Sequence, residues 1–194
     1  MRNLLLLCFS LISFIAVAQP ARQDTTEVFS RPGYDRDPIR ARLKRVVEKK
    51  DSLWVVSLML KKNVIFERIS FADEELSIRK GPYALYENGK VYQQGTYDKG
   101  YKHGIWNEYS ADGQLLSTLS YRWDQLYGPY DRFWENGIPK EKGTYLNGKL
   151  VSKRFLFYRD GKKAAEEIYD DKGLTSATYF TEDGKVVDKL PSFN

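Results

Sequence analysis

Glycines recur along this chain at a nearly constant interval, and that period constrains the fold more than any other feature. The series is Gly89, Gly113, Gly137, Gly161 and Gly184, in which each glycine follows Asn or Asp. An Asn-Gly or Asp-Gly pair readily adopts the positive φ angles of a type I′ turn, which joins two antiparallel strands through a two-residue loop. A period of about 24 residues therefore predicts a chain of repeated β-hairpins.

Two further markers share this period and divide each unit into two strands. Tyrosines recur at the same interval at Tyr97, Tyr121, Tyr145 and Tyr169. A second turn glycine lies about half a period after the first in YDKGYK, YLNGKL and DDKGLT, whereas YRWDQLY has lost it. We therefore predict an all-β fold, an elongated antiparallel meander of hairpins in a single-layer open sheet. The glycines predicted as structural turns are Gly89, Gly113, Gly137, Gly148, Gly161 and Gly184.

A third marker, seen as GPYALY, GIWNEY and GPYDRF, opens successive units. Its aromatic residues stand three apart, although residues three apart in a regular strand lie on opposite faces. The spacing therefore predicts a bulge or a bend between the two rings. Pro82 and Pro129 in this marker cannot donate a backbone hydrogen bond, so we expect each of them at the first residue of its strand.

The first eighteen residues have the form of a secretory signal peptide. Arg2 precedes a mostly apolar run, and Ala16-Val17-Ala18 offers small residues for cleavage after Ala18. The run is shorter than the roughly 18 to 20 residues that a membrane-spanning helix needs, so we expect no such helix in the mature chain. Cys8, the one cysteine, lies inside this run, which excludes disulfides and thiolate chemistry after cleavage. The expected location is periplasmic or secreted.

The remainder divides into three predicted parts. Residues 19–44 form a flexible basic linker, residues 45–80 a divergent first hairpin unit, and residues 81–190 the regular repeats. In the divergent unit LWVVSLML and VIFERISF flank the short turn KKN, whereas the preceding IRARLKRVVEKK is compatible with either a helix or a strand. The net charge of +5 comes almost entirely from residues 20–50, because residues 51–194 have 21 basic and 21 acidic side chains. A neutral repeat array predicts no nucleic-acid binding.

The chain offers no recognisable catalytic or metal-binding constellation. His103 is the one histidine, and we expect it in a turn between two strands. The acidic pairs Glu166-Glu167 and Asp170-Asp171 are expected at solvated hairpin ends, since adjacent strand residues point to opposite faces. No phosphate-binding loop or calcium loop has the required spacing. We therefore expect no enzyme, no catalytic residue, no metal and no cofactor.

The aromatic residues permit two interpretations. In the first, the rings cover one another and replace a second packing layer, with Gly95 and Gly143 leaving gaps that a ring fills and Tyr145 covering Gly143. In the second, exposed rings form a platform for a glycan or a peptide. The residues of this candidate interaction face are Tyr97, Trp106, Tyr121, Trp123, Tyr130, Trp134, Tyr145 and Tyr169.

The repeat resembles the bacterial MORN-repeat variant family. The resemblance lies in GPYALYENGKVYQQGTYDKGYK and GPYDRFWENGIPKEKGTYLNGKL and extends over about residues 81–188. It implies elongated single-layer sheets of hairpins with aromatic side chains stacked along one face. Some members are labelled as antitoxins of toxin–antitoxin systems, although a signal peptide departs from that role because such a toxin acts in the cytosol.

Together these features predict an exported, non-enzymatic repeat protein that acts as a protein-interaction or structural scaffold. Its expected partner is a protein that the sequence does not identify. One alternative is an envelope carbohydrate-binding module that uses the aromatic face to bind a glycan. Another alternative, implied by the family resemblance, is an antitoxin-like protein.

Overall fold

A computed structural model of the protein describes residues 24–31, 34–35 and 43–192, which form one open antiparallel sheet of fifteen strands. From β4 onward each strand pairs with its neighbours in the chain, while β1 lies between β2 and β3. The strands are β1 (Asp24–Arg31), β2 (Tyr34–Asp35), β3 (Leu43–Lys50), β4 (Leu53–Met59), β5 (Ile65–Phe71), β6 (Arg79–Glu87), β7 (Lys90–Asp98), β8 (Tyr101–Tyr109), β9 (Leu115–Arg122), β10 (Gln125–Phe133), β11 (Pro139–Leu146), β12 (Lys149–Phe157), β13 (Lys163–Asp170), β14 (Gly173–Phe180) and β15 (Val186–Val187).

This architecture confirms the predicted all-β meander, with more strands than the repeats alone suggest. The predicted hairpin at the start of the array is β4 and β5, joined through the short 3-10 turn Lys61–Asn63. The preceding segment, ambiguous from its pattern, is strand β3 over residues 43–50. The signal peptide, with Cys8 and the cleavage position Ala18, lies outside the described residues.

Two short strands lie inside the segment for which the sequence predicts a flexible linker. Strand β1 pairs antiparallel with β3, with Phe29 opposite Leu43, and β2 pairs with the end of β1. The sequence of β1, DTTEVFSR, contains threonine, valine and phenylalanine, which favour extended structure beside an available edge. The sequence predicts a linker here because prolines and charged residues flank this short β-favouring stretch.

The hairpin turns with Asn-Gly or Asp-Gly include two-residue and three-residue loops, and the sequence predicts only the two-residue kind. Asn88 and Gly89 form a two-residue loop with φ angles of 50° and 80°, as a type I′ turn requires. The two-residue prediction is wrong for the turns at 110–114, 134–138, 158–162 and 181–185, where three residues separate the closing pair. In the first of these, Ser110 N–H donates to Gln114 O at 2.8 Å and Gly113 N–H donates to Ser110 O at 2.9 Å.

In two of these four loops the side chain before the glycine favours the longer loop. Asn136 accepts the Ile138 N–H at 3.1 Å, and Asp160 accepts the Lys162 N–H at 3.0 Å. Such a side-chain bond to the backbone two residues on competes with the positive φ that a type I′ turn demands. Only the glycine of each loop therefore adopts a positive φ, which produces a three-residue loop ending in a bulge.

A left-handed residue interrupts one strand of each unit, and the next hairpin tip bonds beside it. The φ angles are 91°, 72°, 109° and 62° at Gly81, Gly104, Gly128 and Ser152. Two residues before each of the three glycines, a carbonyl accepts a bond from the following tip. These bonds run from Gly100 N to Arg79 O at 2.8 Å, from Asp124 N to Lys102 O at 3.1 Å, and from Gly148 N to Leu126 O at 2.9 Å. Consecutive hairpins are thus joined at their tips as well as along their strands.

A bulge lies beside each marker, but its extra residue is in the partner strand. The register shifts at Tyr86, Tyr109 and Phe133, where the pairing skips Tyr92, Leu116 and Lys140. The two rings of a marker stay on opposite faces, because Trp106 is buried on the aromatic face whereas Tyr109 bonds to Gln94 on the polar face. The expectation that Pro82 and Pro129 begin their strands is wrong, because both lie inside β6 and β10. Each falls where the pairing to the preceding strand skips residues, so the ladder there does not need the missing N–H.

Alternation along the strands produces two faces of different chemistry. We call one the aromatic face, and its members include Trp54, Tyr83, Tyr97, Trp106, Tyr121, Tyr130, Glu141, Tyr145, Arg154, Leu156, Glu167 and Tyr169. We call the other the polar face, and its members include Arg68, Gln94, Asn107, Thr118, Asp131, Lys142 and Glu166. Buried apolar clusters close both ends of the aromatic face, around Trp54 and Phe71 and around Leu156 and Ala165.

The left-handed Ser152 generates a first prediction. Serine at positive φ is strained by about 1–3 kcal/mol, and glycine relieves the strain but gains roughly 0.4–1 kcal/mol of unfolded-chain entropy. We expect Ser152→Gly to raise the free energy of unfolding by about 1 kcal/mol in chemical denaturation. Ser176→Gly, at a position of β14 that has no positive φ, is the matched control and should lower it by about 0.5–1 kcal/mol. Equal losses in both variants would contradict the strain.

Candidate interaction surfaces of the sheet

Bare backbone on the aromatic face is covered by rings from neighbouring strands. A Cβ built on Gly95 would lie 2.2 Å from the Trp106 ring, and one built on Gly143 would lie 2.8 Å from the Tyr130 ring. The predicted gap-filling role of both glycines is thereby confirmed. The ring above Gly143 is that of Tyr130, directly opposite it on β10, and Tyr145 instead packs against Tyr130 with centroids 4.7 Å apart.

The aromatic residues of this face form a packed ladder rather than an open platform. The ring centroids of Tyr83, Tyr97 and Trp106 lie 5.1 to 5.4 Å apart, and two of the three contacts are edge-to-face. Trp106 and Tyr130 are only 2% and 1% exposed. Burial therefore removes them from any surface that a ligand contacts, and it does the same for Tyr97 and Trp134, which are 8% and 5% exposed.

The remaining members of the predicted face are placed differently. Tyr121, Tyr145 and Tyr169 are half-buried in the same ladder. Burial raises the pKa of the Tyr121 phenol, and the ring lies edge-on to Trp106 at 6.2 Å. Trp123 alone among the eight is well exposed, and its ring contacts residues of the polar face. The structure therefore separates Trp123 from the other seven.

A buried ionic network replaces the ring and the glycine in the fourth unit. Arg154 takes the place that Tyr130 has one repeat earlier, and Glu167 takes the place of Gly143. Arg154 donates to Glu141 at 2.8 Å and to Glu167 at 3.0 Å, while Tyr169 donates to Glu167 at 2.8 Å. The replacement of Tyr130 by Arg154 and of Gly143 by Glu167 is visible when the repeat sequences are aligned. It is not visible when Glu166-Glu167 is considered only as an acidic pair.

The network fixes the ionisation of its members. Burial opposes the charge of Arg154, but attraction to Glu141 and the hydrogen bonds around it outweigh that cost and raise the pKa of the guanidinium. Burial, and then the bond that its hydroxyl donates to Glu141, raise the pKa of Tyr130. The Arg154 guanidinium therefore stays charged and the Tyr130 phenol stays neutral at neutral pH, which suits a structural role.

The acidic pair Glu166-Glu167 is split between the two faces, as strand alternation predicts. Glu166 accepts bonds from Lys153 and Lys163, which lower its pKa to about 2. Glu167 is 6% exposed, so the expectation of a solvated position is wrong for this residue. Within residues 43–192 no three His, Cys, Asp or Glu side chains are arranged to hold a metal ion.

Aromatic residues at the turn ends bind the hairpins together. Trp134 Nε1 donates to Phe157 O at 2.9 Å, and Tyr158 OH donates to Phe180 O at 2.6 Å in the equivalent place of the next unit. Lys140 and Arg159 lie over the Trp134 ring at 4.2 and 4.6 Å from its centroid. The buried Trp134 is thus a link between units.

The hairpin tip at Trp123-Asp124 carries a group of side chains that we call the tip cluster: the exposed Lys99, Tyr101 and Trp123 and the half-buried His103. Trp123 is 43% exposed and Tyr101 is 50% exposed. The Trp123 ring lies 6.2 Å from Tyr101, 5.3 Å from His103 and 5.8 Å from Lys99 Nζ. His103 lies within β8 opposite Thr96, so the prediction that it occupies a turn is wrong. The pairing of β7 with β8 is irregular between Gln94 and Thr96, so the sequence around His103 lacks the regular alternation of a strand.

A shallow groove of about 400 Å³ lies beside the tip cluster. Its polar-face lining, which we call the polar-face groove, comprises Arg68, Pro82, Ala84, Gln94, Thr96, Ile105 and Asn107. Thr96 pairs with His103 across the strands, and Ile105 follows two residues later. The groove and the tip cluster are therefore one continuous surface.

The ionic network generates a second prediction. Removing one member of a buried ion pair leaves an uncompensated charge and costs about 3–5 kcal/mol. Because Arg154 keeps Glu167, we expect Glu141→Ala to lower the free energy of unfolding by about 2–4 kcal/mol. Asp131→Ala is the matched control, since Asp131 of β10 pairs with Lys142, the residue after Glu141 in β11, on the polar face. That exposed pair should contribute about 1 kcal/mol or less, and equal losses in the two variants would contradict a buried role for Glu141.

Comparison with known proteins supports the repeat assignment. The model of the MORN repeat variant family matches residues 84–99, 102–122 and 126–147. No curated protein matches the chain. Among twelve matching solved chains, one described as the crystal structure of TarM aligns with a TM-score of 0.35 and 9% identity over 55% of this chain and 20% of that chain. This chain therefore spans about a fifth of the TarM chain, and so slight a likeness carries no argument.

The family match falls on the part of the sheet where rings, bulges and tips recur most regularly. In the described part of the chain no helix is long and apolar enough to cross a membrane. MORN repeats are typical of interaction modules. The chain is thus a β-hairpin repeat protein in which residues 84–99, 102–122 and 126–147 match the MORN repeat variant.

Proposed function

We propose that this protein is an exported, non-enzymatic scaffold that binds an extended segment of a partner protein along the outer edge of β14. The observation that carries the proposal is the composition of this strand. Its eight residues, GLTSATYF, include no charged side chain and no proline. Edge strands of soluble proteins are normally protected by such residues, because their unpaired backbone groups otherwise accept another strand.

Most of this edge is uncovered. Strand β15 pairs with Tyr179 and Phe180 only, which leaves Leu174 to Thr178 without a strand on that side in the described part of the chain. The side chains of this stretch are exposed, and Leu174 has 50% of its surface accessible. A partner strand added here would gain main-chain hydrogen bonds along five residues. The small side chains of Ser176 and Ala177 would admit many partner sequences.

Export is proposed from the leader and not from the fold. The apolar run and the small residues before Gln19 are those of a cleaved signal peptide. Cleavage would place the scaffold in the periplasm or outside the cell. The intact mass and the amino-terminal sequence of the protein purified from its natural host test this, and we expect the chain to begin at Gln19. A full-length chain recovered from the cytosol would contradict export.

The other functions considered from the sequence have less support. A carbohydrate module on the aromatic face requires exposed rings, whereas Trp106 and Tyr130 are buried there. An antitoxin-like role requires a cytosolic partner and does not suit a leader peptide. The non-enzymatic assignment rests on the lack of a catalytic constellation in the sequence.

The edge proposal is tested by crosslinking in the native envelope. A photo-reactive residue at position 176 should capture a partner protein, whereas the same residue at the exposed position 146 should not. Ser176→Lys combined with Thr178→Lys should then reduce partner recovery about tenfold or more, the equivalent of about 1.4 kcal/mol. The matched control is Gln125→Lys with Leu146→Lys, which adds the same charge at exposed positions away from β14. Unchanged recovery with the β14 variant would overturn the proposal.

A further inference from the structure

The polar-face groove is lined almost entirely by uncharged side chains. Arg68 is the one charged residue in the lining, and its Nε donates to Ser57 Oγ at 3.4 Å. The remainder of the groove combines an apolar floor, with Pro82 and Ala84, and neutral polar walls. Such a lining does not attract a strongly charged ligand. It suits a neutral molecule that presents both C–H surfaces and hydroxyl groups.

The neutral polar groups of the groove retain hydrogen-bonding capacity. Gln94 donates through Nε2 to Tyr109 at 2.7 Å, which leaves its carbonyl oxygen as an acceptor. Asn107 accepts through Oδ1 from Thr118 at 2.9 Å, which leaves its amide nitrogen as a donor. The two side chains lie opposite each other on β7 and β8. An acceptor and a donor thus stand side by side, held in place by their other bonds.

Exposed rings border the groove at the tip cluster. Trp123 and Tyr101 are 43% and 50% exposed and meet edge to face, and the exposed Ile105 extends the apolar surface into the groove. Both rings combine a broad apolar face with a polar tip, which serves recognition of amphipathic ligands. The surface therefore offers a stacking platform beside neutral hydrogen-bonding groups.

The tip at Trp123 differs from its equivalents at the second turn position. The tips before and after it, Lys99-Gly100 and Asn147-Gly148, have glycine there, whereas this tip has Asp124 with a φ of 64°. Aspartate tolerates this conformation, and Asp124 Oδ1 also accepts the Lys102 N–H at 2.5 Å. Trp123 occupies the first position with a φ of 55°, so a turn fixed by Asp124 presents an exposed ring.

We propose that the polar-face groove and the tip cluster bind an uncharged oligosaccharide. One sugar ring stacks on the face of Trp123 beside the Tyr101 ring, and the hydroxyl groups of a sugar further along the oligomer bond to Gln94 and Asn107. This site lies on a different part of the sheet from the β14 edge, so it adds a ligand to the scaffold and does not depend on the partner protein.

Intrinsic fluorescence tests the proposal because the other tryptophans are shielded. Of the four tryptophans, Trp54, Trp106 and Trp134 are 8%, 2% and 5% exposed, so a change on ligand addition reports Trp123. We expect titration with short oligomers of glucose or of N-acetylglucosamine to shift the emission with a saturating dependence. Calorimetry with the same oligomers should return the same affinity. No shift and no heat with either oligomer would overturn the inference.

Substitutions separate stacking from folding. Trp123→Asn removes the ring and places a residue that tolerates positive φ, so the variant should be at least as stable as the natural protein in thermal unfolding. Its affinity, measured by calorimetry, should fall about tenfold or more. Asn107→Ala should weaken binding several-fold, while Ile168→Ala, at an exposed polar-face position on β13, should leave it unchanged.

Three further results would contradict the site. An oligosaccharide affinity of Trp123→Asn equal to that of the natural protein would show that no sugar stacks on Trp123. Tighter binding of a galacturonic acid oligomer than of the neutral oligomers would show that the groove selects anions. Capture of a protein by a photo-reactive residue at position 123, with no binding of either neutral oligomer, would assign the surface to a protein partner. None of these results bears on the β14 edge.

Discussion

A sheet with no second layer must cover its own backbone, and most of this structure follows from that constraint. In a two-layer protein the opposing layer excludes water from the inner face, whereas here the cover comes from neighbouring strands. The Trp106 ring occupies the space that a side chain at Gly95 would need, and Tyr130 does the same above Gly143. Glycine and ring are therefore one unit, in which the missing Cβ allows the ring to lie flat on the strand. Rings of adjacent units then contact each other, and the face closes without a second sheet.

The fourth unit solves the same problem with charges, and its two exchanges are coupled. Glu167 in place of a glycine would be a buried anion without Arg154, whereas Arg154 is 25% exposed and also pairs with Glu141. The change to Glu167 alone would cost several kcal/mol, and the arginine one strand away offsets that cost. Glu141 links the two units, since it accepts hydrogen bonds from Tyr130 of the third unit and from Arg154 of the fourth. The ionic network therefore lies between the aromatic ladder and the apolar cluster around Leu156.

How far the sequence predicts this molecule depends on whether a feature is local. The hairpin period, a register shift between paired rings and the gap-filling role of Gly95 are all local, and the structure shows each of them. The predicted loop length was wrong at Asn136, whose side chain competes with the turn that the Asn-Gly pair otherwise prefers. Burial of the rings stayed one of two interpretations in the sequence because it depends on packing across three strands. A tyrosine that recurs in every unit is the same in sequence whether it is covered or exposed.

Covering one face fully leaves the rest of the molecule available for recognition. Three successive hairpin tips bond to the preceding unit through the same backbone contact, in the turns Lys99-Gly100, Trp123-Asp124 and Asn147-Gly148. The first position of these turns has a positive φ whether it holds Lys, Trp or Asn, so the contact does not need tryptophan. At position 123 the side chain is an exposed ring beside a neutral groove. The regular array thus supplies rigidity, and the irregular tip supplies the chemistry that a regular turn lacks.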